Sequence, residues 1–344
     1  MTTWRLLTTT WFLEPSILCG CAALLVAYAY LARPRTAGRS ALYASGVLVL
    51  LLSLISPIDT LGDGYLFSAH MFQHLLLVLI APPLLLLGIP PTTWTALLAW
   101  SPARRAEAAL GQPLAAWMLG LGTLWVWHAP SLYDAAVRDQ GIHIVQHLSF
   151  LVTATVFWWP ILAPGADQEK SAGRNVSQDE RAGRSESEGD DRRRLSPLGS
   201  IAYLMAAVVA SSVLGIIITF APTGLYPVYL HPIDRLGVLP LLRQGWGLSP
   251  AADQRIGGVL MWTVSSPVYL LGVVAVLARW YTAPEEEQPS PPPHADWAVG
   301  SAEPTAQPAL PAALYGLDPD RLRPVPVQPT AGEGRTTLAS LDYS

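Results

Sequence analysis

Seven long apolar stretches, strung along the first 282 residues of a 344-residue chain, leave it few folds to adopt. They run from about Ser16 to Ala32, about Ala41 to Ile55, about Ala69 to Gly88, about Leu114 to Trp127, about His143 to Leu162, about Leu198 to Phe220 and about Gly257 to Trp280. A helix needs roughly twenty mostly apolar residues to cross the hydrocarbon core of a bilayer. Inside lipid every backbone N–H and C=O must be satisfied within the protein, which favours helices. The expected fold is all-α, a polytopic membrane helix bundle of seven transmembrane helices. Composition agrees, because 51% of the residues are hydrophobic and only 13% are charged. Pro82-Pro83 interrupts the third run, so that helix should kink and free carbonyls that a neighbour must satisfy. The fourth run is short and has the least sharply marked ends.

Charge orients the bundle. The first connection carries Arg33, Arg35 and Arg39, the third Arg104 and Arg105, and the fifth Lys170, Arg174, Arg181, Arg184 and Arg192-Arg193-Arg194. These connections are expected in the cytoplasm. The second has Asp59 and Asp63 without a basic residue, and the fourth has Asp134 and Asp139 against Arg138, so both are expected outside. The sixth is mixed. The N-terminus then lies outside and the C-terminus inside. Residues 1–282 form the membrane domain. Residues 164–197, between helices five and six, read as a disordered cytoplasmic linker, and 283–344 as a disordered Pro-rich cytoplasmic tail, because neither can bury enough apolar surface to offset the entropy of ordering. The aromatic sixth connection, with Tyr226, Tyr229 and Trp246, suits the outer membrane interface or a cap on the bundle.

The net charge of −4 says little about partners, since much of the charge lies in linker and tail. No basic patch interleaved with aromatics suggests nucleic acid. Cys19 and Cys21 share one apolar run, which excludes a disulfide framework. The first fifteen residues carry Arg5 and Glu14 and lack a basic leader, so no cleaved signal peptide is expected.

The chemistry concentrates in histidine. His70-Met71-Phe72-Gln73-His74 opens the third run and His143-Ile144-Val145-Gln146-His147 the fifth, both reading H-x-x-Q-H. On a helix, residues four apart share a face. Ionisable groups in a membrane span are costly and mark function by default. With the orientation above, these four residues and His128 converge from three helices at one depth in the outer leaflet. Imidazole suits copper, zinc, iron or nickel, and soft sulfur favours Cu(I). Met261 is the expected sulfur ligand. Met71 adjoins His70, but helix neighbours point about 100° apart, so it need not face the same site. The metal-site candidates are therefore His70, His74, His128, His143, His147 and Met261. Gln73, Gln146, Tyr133, Asp134 and Asp253 are candidates to support them, since ligand histidines donate their second nitrogen to a neighbour. His231 and His294 lie in a loop and in the tail and are not expected to be ligands.

The ordered set of motifs resembles the CtaG family of cytochrome c oxidase assembly proteins, in its integral seven-helix form associated with caa-type oxidases. The resemblance rests on both H-x-x-Q-H stretches and the leucine-rich run to Pro82-Pro83. It also includes Trp127-His128-Ala129-Pro130-Ser131-Leu132-Tyr133-Asp134, Asp253-Gln254-Arg255-Ile256-Gly257-Gly258 and Met261-Trp262. It implies a non-enzymatic assembly factor in a bacterial plasma membrane, delivering copper as Cu(I) to the oxidase binuclear centre. The implied partners are the oxidase subunit carrying the copper–haem centre, an extracytoplasmic copper donor and membrane lipid. Linker, tail and Cys19-Gly20-Cys21 take no part in the resemblance. The alternative is a haem-binding membrane protein with paired histidines as axial ligands. A metal-dependent enzyme using Asp134 or Asp253 has no substrate to support it. A metal permease would need polar residues through the inner half of the spans, where few occur.

Overall fold

The computed structural model describes residues 2–162 and 195–282. The expected tail lies outside the described residues. So does the expected linker, apart from residues 195–197, where Pro197 already opens a helix. The described residues form helices and connecting turns without a strand. In chain order these are α1 (Thr3–Thr9), α2 (Pro15–Leu31), α3 (Ala37–Ile55), α4 (Pro57–Gly62), α5 (Phe67–Gly88), α6 (Pro91–Ala99), α7 (Ser101–Leu110), α8 (Pro113–Trp127), α9 (Pro130–Arg138), α10 (Gln140–Leu162), α11 (Pro197–Phe220) and α12 (Pro250–Thr282). Proline opens α2, α4, α6, α8, α9, α11 and α12, where its fixed φ is already helical and its missing N–H costs nothing.

Five helices, α3, α5, α10, α11 and α12, are long and apolar enough to cross a membrane. A sixth crossing results if α7 and α8, which meet at a 77° bend, count as one broken span. The first expected span corresponds to α2, an apolar helix of 17 residues, shorter than the other candidates. It lies against α3, where Tyr28 stacks on Tyr43 at 4.2 Å and donates to the Gly88 carbonyl at 3.1 Å.

The double proline in α5 does not break the helix. A π-helical turn over Leu76–Ile80 absorbs it. In α or π register the Val78 carbonyl would pair with the amide of residue 82 or 83, and both are proline. Trp158 of α10 supplies the missing donor, its Nε1 reaching Val78 O at 3.1 Å. Helices α11 and α12 approach closely at glycine. A Cβ built on Gly215 would come within 2.9 Å of the Gly258 carbonyl oxygen, and one on Gly258 would collide with Thr219. Gly257 admits the Phe67 ring and Met71 of α5 in the same way.

The aromatic sixth connection folds inward over the helix ends. Tyr226 and Tyr229 are buried in the main core, while Val238 and Leu242 pack with Leu6, Leu61, Tyr65 and Leu66. Gln254 staples this connection, accepting from the amides of Gly224 and Leu225 at 3.1 and 3.3 Å and donating to the Ala221 and Pro222 carbonyls at 3.2 Å.

Candidate functional site

The helical period places His70 and His74 on one face of α5, and His143 and His147 on one face of α10. Packing turns those faces toward each other. Ring centroids lie 4.3 Å apart for His70–His74, 4.1 Å for His143–His147, 5.2 Å for His70–His143 and 5.4 Å for His74–His147. His128, just past the end of α8, adds a fifth ring 5.8 Å from His74. All five are buried, with exposures from 0% to 9%.

Hydrogen bonds decide the proton on His70. Tyr229 donates its hydroxyl hydrogen to the Gly62 carbonyl at 2.7 Å, because a carbonyl can only accept. Its 2.9 Å contact with His70 Nδ1 must then be one it accepts, so His70 carries its proton on Nδ1. Nε2 is left bare. Tyr133 stands beside them, its hydroxyl 3.1 Å from that of Tyr229 and its ring 5.2 Å from His70. Burial pushes the Tyr229 and Tyr133 phenols upward, keeping both neutral.

The cluster has ring nitrogens with no hydrogen-bond partner: Nε2 of His70, His143 and His147, and both nitrogens of His74. Each unsatisfied buried polar atom costs about 1–3 kcal/mol. Ligand atoms of His70, His74 and His147 lie within 4.8 Å of one another. Two metal–nitrogen bonds of roughly 2.0 Å span at most about 4 Å. Shifts of under about 1 Å would bring the three onto one ion. The donors are neutral imidazoles, suited to a borderline or soft cation.

The other candidates divide. Gln146 is buried, and both polar atoms of its side chain lack a hydrogen-bond partner. Gln73 turns away, donating to the Ser53 carbonyl at 2.9 Å and to Asp59 at 2.6 Å. Asp134 pairs with Arg138 at 3.2 Å rather than with an imidazole, and burial raises its carboxyl against that partner's pull. Asp253 does not reach the rings. It accepts from the Phe67 and Ser68 amides at 2.8 and 3.0 Å and from the Ser68 hydroxyl at 2.5 Å, capping the helix that carries His70 and His74. Met261 lines a cavity with Met71, His74 and His128, to which α10's pair does not contribute.

Four residues were not anticipated in these positions. Tyr229 orients His70. Asp63 sits 3.4 Å from His143 Nδ1. Asp59 holds Gln73. Met71, which by helical position need not face the site of His70, lies with its sulfur 3.3 Å from His128 Nε2. Burial, with Asp59 alongside, pushes the Asp63 carboxyl up to about 8. Asp59 is pushed up to about 7 by burial, against its Gln73 hydrogen bond and with the charge of Glu14 adding to the rise. Only the acidic, base-free character of the second connection hinted at the two aspartates.

Fold and site together define a multi-pass helical membrane protein built around a buried nest of histidines. The chain belongs to the cytochrome c oxidase caa3 assembly factor family, Caa3_CtaG, matching it over residues 22–175 and 187–283. It is also similar to an uncharacterized protein of Mycobacterium leprae, with 25% identity over 292 residues, covering 76% of this chain and 38% of the relative. Uncharacterized proteins of Mycobacterium bovis and Mycobacterium tuberculosis are each 24% identical over 260 residues, covering 71% of this chain and 34% of theirs. The chain thus spans well under half the length of these relatives. No solved structure matches it.

Proposed function

We propose that the chain handles copper as cargo during assembly of a caa3-type cytochrome c oxidase, holding it as Cu(I) between α5 and α10. The observation that carries this reading is the set of unpartnered ring nitrogens on His70, His74 and His147, with His143 beside them. Unpartnered nitrogens in a buried nest are costly, and a cation repays those that carry a lone pair. Family membership supplies the context, since an oxidase under assembly needs copper at its binuclear centre. The partner is then the oxidase subunit that carries the centre, with an extracytoplasmic donor upstream.

The same reading takes α2 and the α7–α8 pair as crossings, giving seven spans in a bacterial plasma membrane. The N-terminus lies outside and the C-terminus in the cytoplasm, as the arginine-rich odd connections favour. The histidine nest then lies in the outer leaflet.

Haem is less well served. Bis-histidine ligation needs a slot for a flat macrocycle between two imidazoles. Here neighbouring rings touch edge to face, and Phe150 packs 4.6 Å from His74.

The test is direct. Alanine at His70, His74, His143 or His147 should lower the amount of copper bound by the purified protein. It should also lower oxidase activity in the host membrane while the protein's own abundance holds. Undiminished copper in the quadruple variant would refute the reading.

A further inference from the structure

Adjoining the imidazole nest at His74 lies a cavity of about 20 Å³, large enough for roughly one water-sized occupant. His74 lines it together with Met71, Met261 and His128, and Leu, Val and Tyr269 side chains make up much of the rest. Ser211 and Ser265 complete the wall. Each hydroxyl is already committed to its own helix, Ser211 donating to the Ala207 carbonyl at 2.8 Å and Ser265 to the Met261 carbonyl.

The proton on His128 can be located. Its Nδ1 lies 2.6 Å from the Leu124 carbonyl oxygen, an atom with no hydrogen to give. Nδ1 therefore bears the hydrogen, and in the neutral ring Nε2 is a bare lone pair. That lone pair faces the Met71 sulfur at 3.3 Å. A thioether has lone pairs and no hydrogen. Two acceptors thus confront each other at close range in a buried place, with Met261 on the same cavity. A hydrogen bond does not explain the contact, because neither atom has a proton to share.

A cation does explain it. Metal–nitrogen and metal–sulfur bonds of roughly 2.0 and 2.3 Å, taken from zinc, subtend a separation of about 3.3 Å at an angle near 100°. We propose that His128 Nε2, Met71 Sδ and Met261 Sδ form a second, sulfur-containing Cu(I) site adjoining the imidazole nest, His74 belonging to the nest and also lining the cavity. Thioether sulfur with a neutral imidazole is a soft donor set and selects Cu(I) over Cu(II), zinc or magnesium. The proposal deepens the copper-handling reading above and takes from it the identity of the ion. The donor pair itself follows from the hydrogen bonding alone.

The full chain, purified in detergent and loaded anaerobically with Cu(I), provides the test. The chain has five methionines. Protein grown with selenomethionine should show selenium in the first coordination shell of copper by X-ray absorption, without any substitution that could disturb folding. The Met71→Leu/Met261→Leu variant, nearly volume-conserving, should fall from two equivalents of Cu(I) to one and lose the sulfur scatterer. The His70→Ala/His147→Ala variant should lose the nitrogen-only equivalent and keep the sulfur-bound one. Copper without a selenium neighbour, together with unchanged stoichiometry in the methionine variant, would overturn the second site and leave the imidazole nest standing. An unsubstituted chain that binds a single, sulfur-coordinated copper, retained in full by the histidine variant, would uphold this site and count against the nest.

Discussion

At the scale of the residue, the site depends on which nitrogen carries the proton. Tyr229 makes that choice for His70 and is reached only through a contact spanning 159 positions. The Tyr229→Phe variant should keep the ring packing but free Nδ1 to compete for the proton. Loss of such a supporting hydrogen bond typically costs about 10–100-fold in metal affinity. A competitive Cu(I) titration would show it, alongside a stability loss of about 1–3 kcal/mol because the Gly62 carbonyl and His70 Nδ1–H lose their buried partner. Asp253 works differently. Its carboxylate takes the first amides of α5, so Asp253→Ala should destabilise the protein by about 1–3 kcal/mol through unpaired buried donors. Thermal unfolding of the metal-free protein measures this, and Asp253→Asn, which still offers one oxygen, should cost less. The sequence marked Asp253 as polar and helix-initial. It did not reveal that the helix it caps is α5 rather than its own.

At the scale of the element, α5 makes the case. Proline at two successive positions reads locally as a kink, with carbonyls left over. The π-helical turn and the Trp158 indole make it one continuous span. The kink expectation was therefore right about the freed carbonyl but could not name the donor, which sits 80 positions away. The Trp158→Phe variant should leave Val78 O unpaired in an apolar setting. An unfolding free energy lower by about 1–3 kcal/mol is expected, together with faster amide exchange around Leu76–Ile80. The H-x-x-Q-H stretches were legible because the helical period alone puts both imidazoles of each on one face. Their glutamines were not, since the same period sends Gln73 to partners on α3 and α4 and leaves Gln146 buried without a hydrogen-bond partner.

At the scale of the whole molecule, acidic groups of the second connection are drawn under the fold. Asp59 is held at about 7, chiefly by burial, far above the ordinary carboxylate value of about 3.9. The native state therefore binds this proton more tightly than the unfolded chain does. Its contribution to stability is complete below about pH 4 and is lost as pH rises through about 7. The slope has an upper bound of about 1.4 kcal/mol per pH unit. Metal-free protein should thus lose thermal stability between pH 5 and about pH 7, and Asp59→Asn should flatten that decline. A steeper loss in the variant would contradict the assignment.

By itself the sequence determined the class of the molecule: apolar helices in number, prolines at their starts, and two histidine pairs each on one helical face. Those properties are local, set by hydropathy and by 3.6 residues per turn. Only the tertiary structure decided that the pairs face each other, that Met71 meets His128, and that Tyr229 arrives from a folded-in connection to orient His70. Those contacts join residues from 57 to 159 positions apart. Burial energy is indifferent to sequence distance, so no window of the chain contains them.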